Sequence, residues 1–199
     1  MYRFIETIRI ANGEICNLPY HDKRLNDTRA HFWKNSFPIR LADHIRPTSE
    51  TGIVKVRVEY GEMGIEEINY SPYNMRRVQS LTILRSDTID YTYKSTDREA
   101  INHLFELRGA CDDILIVRQG LLTDTSIANI ALFDGESWFT PRKPLLQGTK
   151  RAQLIEKSIL YEKELRPEDL PSFSTIRLFN AMIDWGEQEI PVRNIHSVF

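Results

Sequence analysis

The stretch from Asp112 to Arg151, DDILIVRQGLLTDTSIANIALFDGESWFTPRKPLLQGTKR, restricts the possible folds more than any other part of the chain. Asp113 to Arg118 is a short β-branched apolar run suited to a buried strand. Gln119-Gly120 breaks it, and Leu121 to Asp124 begins a second extended piece. That piece carries a lone carboxylate, Asp124, into a run of small residues that ends at Asn129. Ile130 to Phe133 is apolar again, and Asp134-Gly135 signals a hairpin, because a primed turn needs positive φ. Trp138 to Thr140 reads as the returning strand, ended by Pro141, and Gly148-Thr149-Lys150-Arg151 leads into an amphipathic helix. Unpaired N–H groups and the positive dipole end at such a start favour an anion. The segment is therefore a strand, a polar elbow, a hairpin and an anion-binding helix entrance.

Charge and motif content narrow the function. With 26 basic and 28 acidic residues the net charge is −2, so no basic field points to nucleic acid. The apolar runs are too short to cross a bilayer and no signal-peptide pattern opens the chain, which predicts a cytoplasmic protein without a membrane partner. Cys16 and Cys111 lack metal or redox spacing and read as buried free thiols. The five histidines do not pair at ligand spacing, so no metal is expected. Neither a dinucleotide glycine fingerprint nor a Walker loop is present.

The N-terminal half reads as an antiparallel sheet with helices across one face, giving an α+β class. Tyr2 to Ile10 and Glu14 to Leu18 are strand-like around Asn12-Gly13, and His21 to Trp33 reads as a helix after Pro19. A short helix is expected over Ile39 to Arg46, and strands over Ile53 to Tyr60, Ile65 to Tyr70 and Ser80 to Leu84. In the first of these, Val54, Val56, Val58 and Tyr60 alternate with Lys55, Arg57 and Glu59. A helix from about Thr96 to Arg108, capped by Ser95 or Thr96, follows Lys94. A drop in hydrophobicity at Ser86 to Asp90 suggests lobes of 1–88 and 89–199.

Several of these residues together resemble the fold-type IV pyridoxal-phosphate enzymes, which include D-amino-acid and branched-chain aminotransferases and 4-amino-4-deoxychorismate lyase. The resemblance rests on Phe4-x-Glu6-Thr7-Ile8, on His21-x-x-Arg24-Leu25, and on Lys94 followed by Asp97-Arg98. It continues through Asp124, Asn129, Thr140-Pro141 and Gly148. It implies a two-lobed α+β fold like that of D-amino-acid aminotransferase, with a shortened N-terminal lobe, and pyridoxal 5'-phosphate as cofactor. Lys94 would carry the cofactor, and Asp124, in place of the family's Glu, would bond its pyridine nitrogen. Arg24 would clamp the phosphate as a planar, permanently charged fork. Gly148, Thr149, Lys150, Asn180 and Ala181 would complete the phosphate cup.

Arg98 and the segment Asn180-Ala181-Met182 ahead of Pro191-Val192 resemble the lyase branch more than the aminotransferases. The implied substrate is a small-molecule amine, 4-amino-4-deoxychorismate, and the implied assembly a homodimer. An aminotransferase for a D- or branched-chain amino acid, and a non-catalytic cofactor-binding protein, remain open at this point.

Overall fold

The structure, a computed structural model, describes residues 2–47 and 51–197. The chain is α+β and divides into two compact units, Met1–Met75 with Tyr93–Asp97, and Arg76–Thr92 with Arg98–Phe199.

In the first unit β1 (Phe4–Ala11) lies between β2 (Glu14–Ile15) and β3 (Ile53–Gly61), and β4 (Gly64–Pro72) follows β3, all antiparallel. Asn12 and Gly13 both take positive φ, as the Asn-Gly signal requires of a primed turn. The register sets Phe4, Glu6, Ile8 and Ile10 opposite Tyr60, Val58, Val56 and Val54. Directly opposed residues share a face, and this face is the core, so Glu6 is a carboxylate at an apolar register position.

Helix α1 (Leu18–Phe32) covers that face with Leu25 and the buried His21, Thr28 and Arg29. It begins earlier than the sequence suggests, because Pro19 sits in its first turn, where a missing N–H costs nothing. The returning strand shrinks accordingly to two residues. Only a 3-10 turn, Leu41–Asp43, forms where a helix over Ile39 to Arg46 is expected. Side chains of α1 hold the backbone of this segment instead. Asn26 bonds both the N–H and the carbonyl of Ile39, and Asp22 accepts from the Leu41 N–H.

Tyr93–Asp97 returns to this unit as a strap along β1. Ile5 N–H donates to the Lys94 carbonyl at 2.9 Å, and Thr96 N–H to the Arg3 carbonyl at 3.0 Å. Ser95 and Thr96 therefore do not cap a helix, and α2 (Glu99–Glu106) starts three residues later than their sequence suggests.

The second unit holds β5 (Leu81–Arg85), β6 (Asp113–Arg118), β7 (Leu121–Thr125), β8 (Asn129–Phe133) and β9 (Trp138–Pro141). Helix α3 (Thr149–Glu156) precedes β10 (Leu160–Lys163), β11 (Thr175–Phe179), β12 (Glu189–Pro191) and β13 (Ile195–Ser197). Among the described residues these form one sheet in the order β10-β9-β8-β7-β6-β5-β13, with β11 on β8 and β12 on β11. β5 and β6 pair in parallel, which needs a crossover, and α2 lies in that connection. A division at 88/89 would cut β5 from β6, and the units in fact part at Met75/Arg76.

β6 is buried on both faces, Leu115 and Val117 in one core cluster and Ile114 and Ile116 in another, as its unbroken apolar run predicts. The β8–β9 hairpin closes through four residues rather than two. Gly135 has positive φ, and the Asp134 carboxylate accepts from the N–H groups of Glu136 and Ser137 at 2.9 Å each. Cys16 and Cys111 are free but half-buried, not buried as expected. Among the described residues no helix is long and apolar enough to cross a membrane.

Candidate active site

Three side chains converge inside the first unit. The fully buried Glu6 carboxylate accepts from Arg24 Nε at 2.8 Å, from Arg24 NH2 at 2.6 Å, and from His21 Nδ1 at 2.6 Å. Burial opposes charge on Glu6, yet the Arg24 guanidinium and the His21 bond outweigh it and bring its pKa down to about 2. Burial holds His21 below the ordinary imidazole range, against the pull of Glu6, and the fields of Arg24 and Lys94 push the same way as burial. A neutral imidazole beside a carboxylate donates its Nδ1–H to it. Lys94 itself is half-buried on the strap, next in register to Glu6 through the Ile5 bond.

The polar elbow of the second unit is wired just as tightly. Asp124, buried at the end of β7, accepts from Asn129 Nδ2 at 3.0 Å and from the Leu146 N–H at 2.9 Å. Asn129 Nδ2 also reaches the Leu146 carbonyl at 2.9 Å. Thr125 Oγ1 accepts from the Ala128 N–H at 3.0 Å and closes the turn. Two residues from outside brace its carbonyls. Arg98 donates to Ser126 O at 2.6 Å and Asn180 Nδ2 to Ile127 O at 2.9 Å. Asn180 Oδ1 meanwhile accepts from Met182 and Ile183 N–H, which shapes the segment holding the half-buried Ala181. The bracing by Arg98, which also stacks on Tyr91, is not visible in the sequence, where Arg98 figures only as a family marker.

Gly148 is the N-cap of α3, with buried Thr149 as the first helical residue. A Cβ on Gly148 would fall 1.9 Å from Asn129 Oδ1, so the entrance and the elbow are in direct contact. Lys150 pairs with Asp184 at 2.6 Å and bonds Gln153. Arg151 is buried, bonds Gln147 just ahead of α3, and ties the helix to the sheet through the Pro141 carbonyl and Glu162. Lys94 and Arg24 thus belong to the first unit, and Asp124, Gly148, Thr149, Lys150, Asn180 and Ala181 to the second.

Asp124 makes no ion pair with a described residue. Burial pushes its pKa up to about 7, against the Leu146 and Asn129 bonds and the field of Arg151. A carboxyl raised in this way from 3.8 holds its proton more tightly when folded, so its contribution to stability is full below 3.8 and is lost as pH rises to about 7. In ligand-free protein the stability advantage of wild type over Asp124→Asn should therefore shrink across that interval. Urea midpoints measured for both proteins at several pH values check this, and a constant difference would contradict it.

The pattern of the Amino-transferase class IV family matches residues 63–195. A Haemophilus influenzae protein without a functional name is 35% identical over 186 residues, covering 92% of this chain and 98% of its own. A Schizosaccharomyces pombe protein provisionally named an aminodeoxychorismate lyase is 25% identical over 194 residues, covering 86% of this chain and 83% of its own. The crystal structure of a Haemophilus somnus protein, provisionally named a 4-amino-4-deoxychorismate lyase, superposes with a TM-score of 0.84 at 32% identity. That match covers 92% of this chain and 97% of the other. The fold is that of the fold-type IV enzymes, and the chain belongs to the class IV aminotransferase family.

Proposed function

We propose that this chain is a pyridoxal-phosphate-dependent lyase that cleaves 4-amino-4-deoxychorismate to 4-aminobenzoate and pyruvate. The observation that carries the cofactor is Asp124, a buried carboxylate without a cation whose pKa is raised to about 7. Its bonds to Asn129 and Leu146 occupy only part of a capacity of about four lone pairs. A protonated ring nitrogen is the partner that such a group lacks, and the residues present fit pyridoxal phosphate. The lyase branch is favoured by the similarity to the Haemophilus somnus and Schizosaccharomyces pombe proteins.

When bound, pyridoxal phosphate supplies an electron sink for the amine-bearing carbon. Lys94 would hold the cofactor, and its free amine would take the proton from the ring carbon that bears the substrate amine. The same amine returns a proton to the methylene carbon of the departing enolpyruvyl group, which leaves as pyruvate. Asp124 would keep the ring nitrogen of the cofactor protonated. Arg24 would bind the phosphate, and the N–H groups at Gly148 and Thr149, with Lys150, Asn180 and Ala181, are the second unit's candidates for it. The six-membered ring becomes aromatic, so the protein's task is placement of groups and stabilisation of charge.

Borohydride reduction followed by peptide mapping should place a pyridoxyl group on Lys94. Purified protein given enzymatically made aminodeoxychorismate should then release pyruvate. A label elsewhere, or transamination in place of pyruvate release, would overturn the site or the reaction respectively.

A further inference from the structure

We propose that Glu6 is a positioning residue that holds the Arg24 guanidinium in the orientation in which it binds the cofactor's phosphate. The inference rests on the function proposed above. An unconstrained arginine has many rotamers, and a fork gripped through both Nε and NH2 by one carboxylate has its plane and direction fixed. The grip is built into the core. Glu6 is fully buried between Phe4 and Ile8 on the apolar face of β1, and its remaining bond goes to the buried His21. Buried ion pairs often add little stability over apolar residues of the same volume, so stability alone is a weak reason for a carboxylate here. What the carboxylate adds is direction.

Its neighbour supports the same reading. The Ile5 N–H holds the Lys94 carbonyl and the Glu6 side chain holds Arg24, so consecutive residues of one strand set both groups. Lys94 is also near enough to His21 for its charge to be felt there. β1 is in this sense the ruler of the first unit, and Glu6 is its mark for the phosphate.

The test compares the affinity of cofactor-free protein for pyridoxal phosphate with its affinity for pyridoxal, which lacks the phosphate. Glu6→Gln keeps the shape and removes the charge, and it should lower the ratio of the two affinities at least tenfold. Glu6→Asp, which keeps the charge, should recover part of the ratio. In an Arg24→Lys background Glu6→Gln should change the ratio no further. If Glu6 only stabilises the fold, Glu6→Gln will lower the melting temperature and leave the ratio unchanged, and the proposal is wrong.

A measurement on wild type can overturn the proposal even if the Glu6 variants do not fold. The Arg24 Nε–H proton resonance, assigned by its loss in Arg24→Lys, should shift on addition of inorganic phosphate, and no shift overturns the proposal. A shifted resonance in protein that borohydride fails to label at Lys94 would refute the proposed reaction while retaining the Glu6-held anion clamp.

Discussion

Asp124→Asn should bind pyridoxal phosphate and turn over about a hundredfold more slowly than wild type, or worse, a barrier raised by about 2.7 kcal/mol. An amide cannot hold a ring nitrogen in its protonated form, so the loss should fall on kcat more than on substrate affinity. The geometry adds a second effect. Oδ1 accepts from Asn129 Nδ2 and Oδ2 from the Leu146 N–H, so an amide turned either way sets its NH2 against a donor. One lost and opposed bond of this kind costs about 1–3 kcal/mol of stability. A loss of stability, largest at low pH, is thus expected whether or not Asp124 is catalytic, and turnover per bound cofactor is the deciding quantity. Asp124→Glu restores the residue usual in the family and should retain substantial turnover if the elbow yields by one methylene. For an ordinary turn aspartate the ranking reverses, because Asn suits turns and Glu does not. An active Asn variant would therefore remove Asp124 from the mechanism.

Gly148→Ala should be the most damaging single-methyl addition in the second unit. Its φ of −68 is open to any residue, so backbone strain is not the cause. The added carbon would lie 1.9 Å from Asn129 Oδ1 and 3.1 Å from its Cγ, and Asn129 is buried and already bonded to Asp124 and Leu146. Overpacking of this kind costs about 1–3 kcal/mol, which lowers the melting temperature by about 2–4 °C per kcal/mol in a chain of this size. Relief by moving Asn129 would release its bond to Asp124, so cofactor affinity should fall together with stability. Asn129→Ala combined with Gly148→Ala tests the coupling. With the clashing side chain removed, the two losses should sum to clearly less than their separate values. Strict additivity would mean that the methyl is accommodated elsewhere.

The elements that the sequence discloses are those whose pattern is local. The alternation of Val54, Val56, Val58 and Tyr60 and the apolar run of β6 each carry their own periodicity, and the structure has both strands. Asn12-Gly13 likewise makes the turn that its residue types demand. What escapes is set by partners far along the chain. Nothing near Ser95 announces that its backbone neighbours pair with Arg3 and Ile5, so α2 loses its expected first turn. The backbone of Ile39 to Leu41 is held instead by Asp22 and Asn26, side chains on a different element.

Glu6 is the instructive case at the candidate site. Counting by twos from Phe4 to Ile8 and Ile10 places it on the buried face, and a carboxylate there calls for hydrogen-bond donors and a cation. That signal is present in the sequence, and it points to His21 and Arg24 on the helix that covers the face. The bracing of the elbow by Arg98 and Asn180 has no such local mark, because both bonds end on backbone carbonyls that every residue possesses.

The strap Tyr93–Asp97 has a consequence for how such a protein can be inherited. The chain passes between its two units at Met75/Arg76, at Thr92/Tyr93 and at Asp97/Arg98. Neither unit is therefore a continuous cassette that recombination could lift out intact. A gene break anywhere between Met75 and Lys94 would strand Lys94 from the strand whose Ile5 N–H fixes it. Shuffling of whole domains is closed to this architecture, and its diversification must proceed by substitution and by changes of loop length within a fixed order of segments.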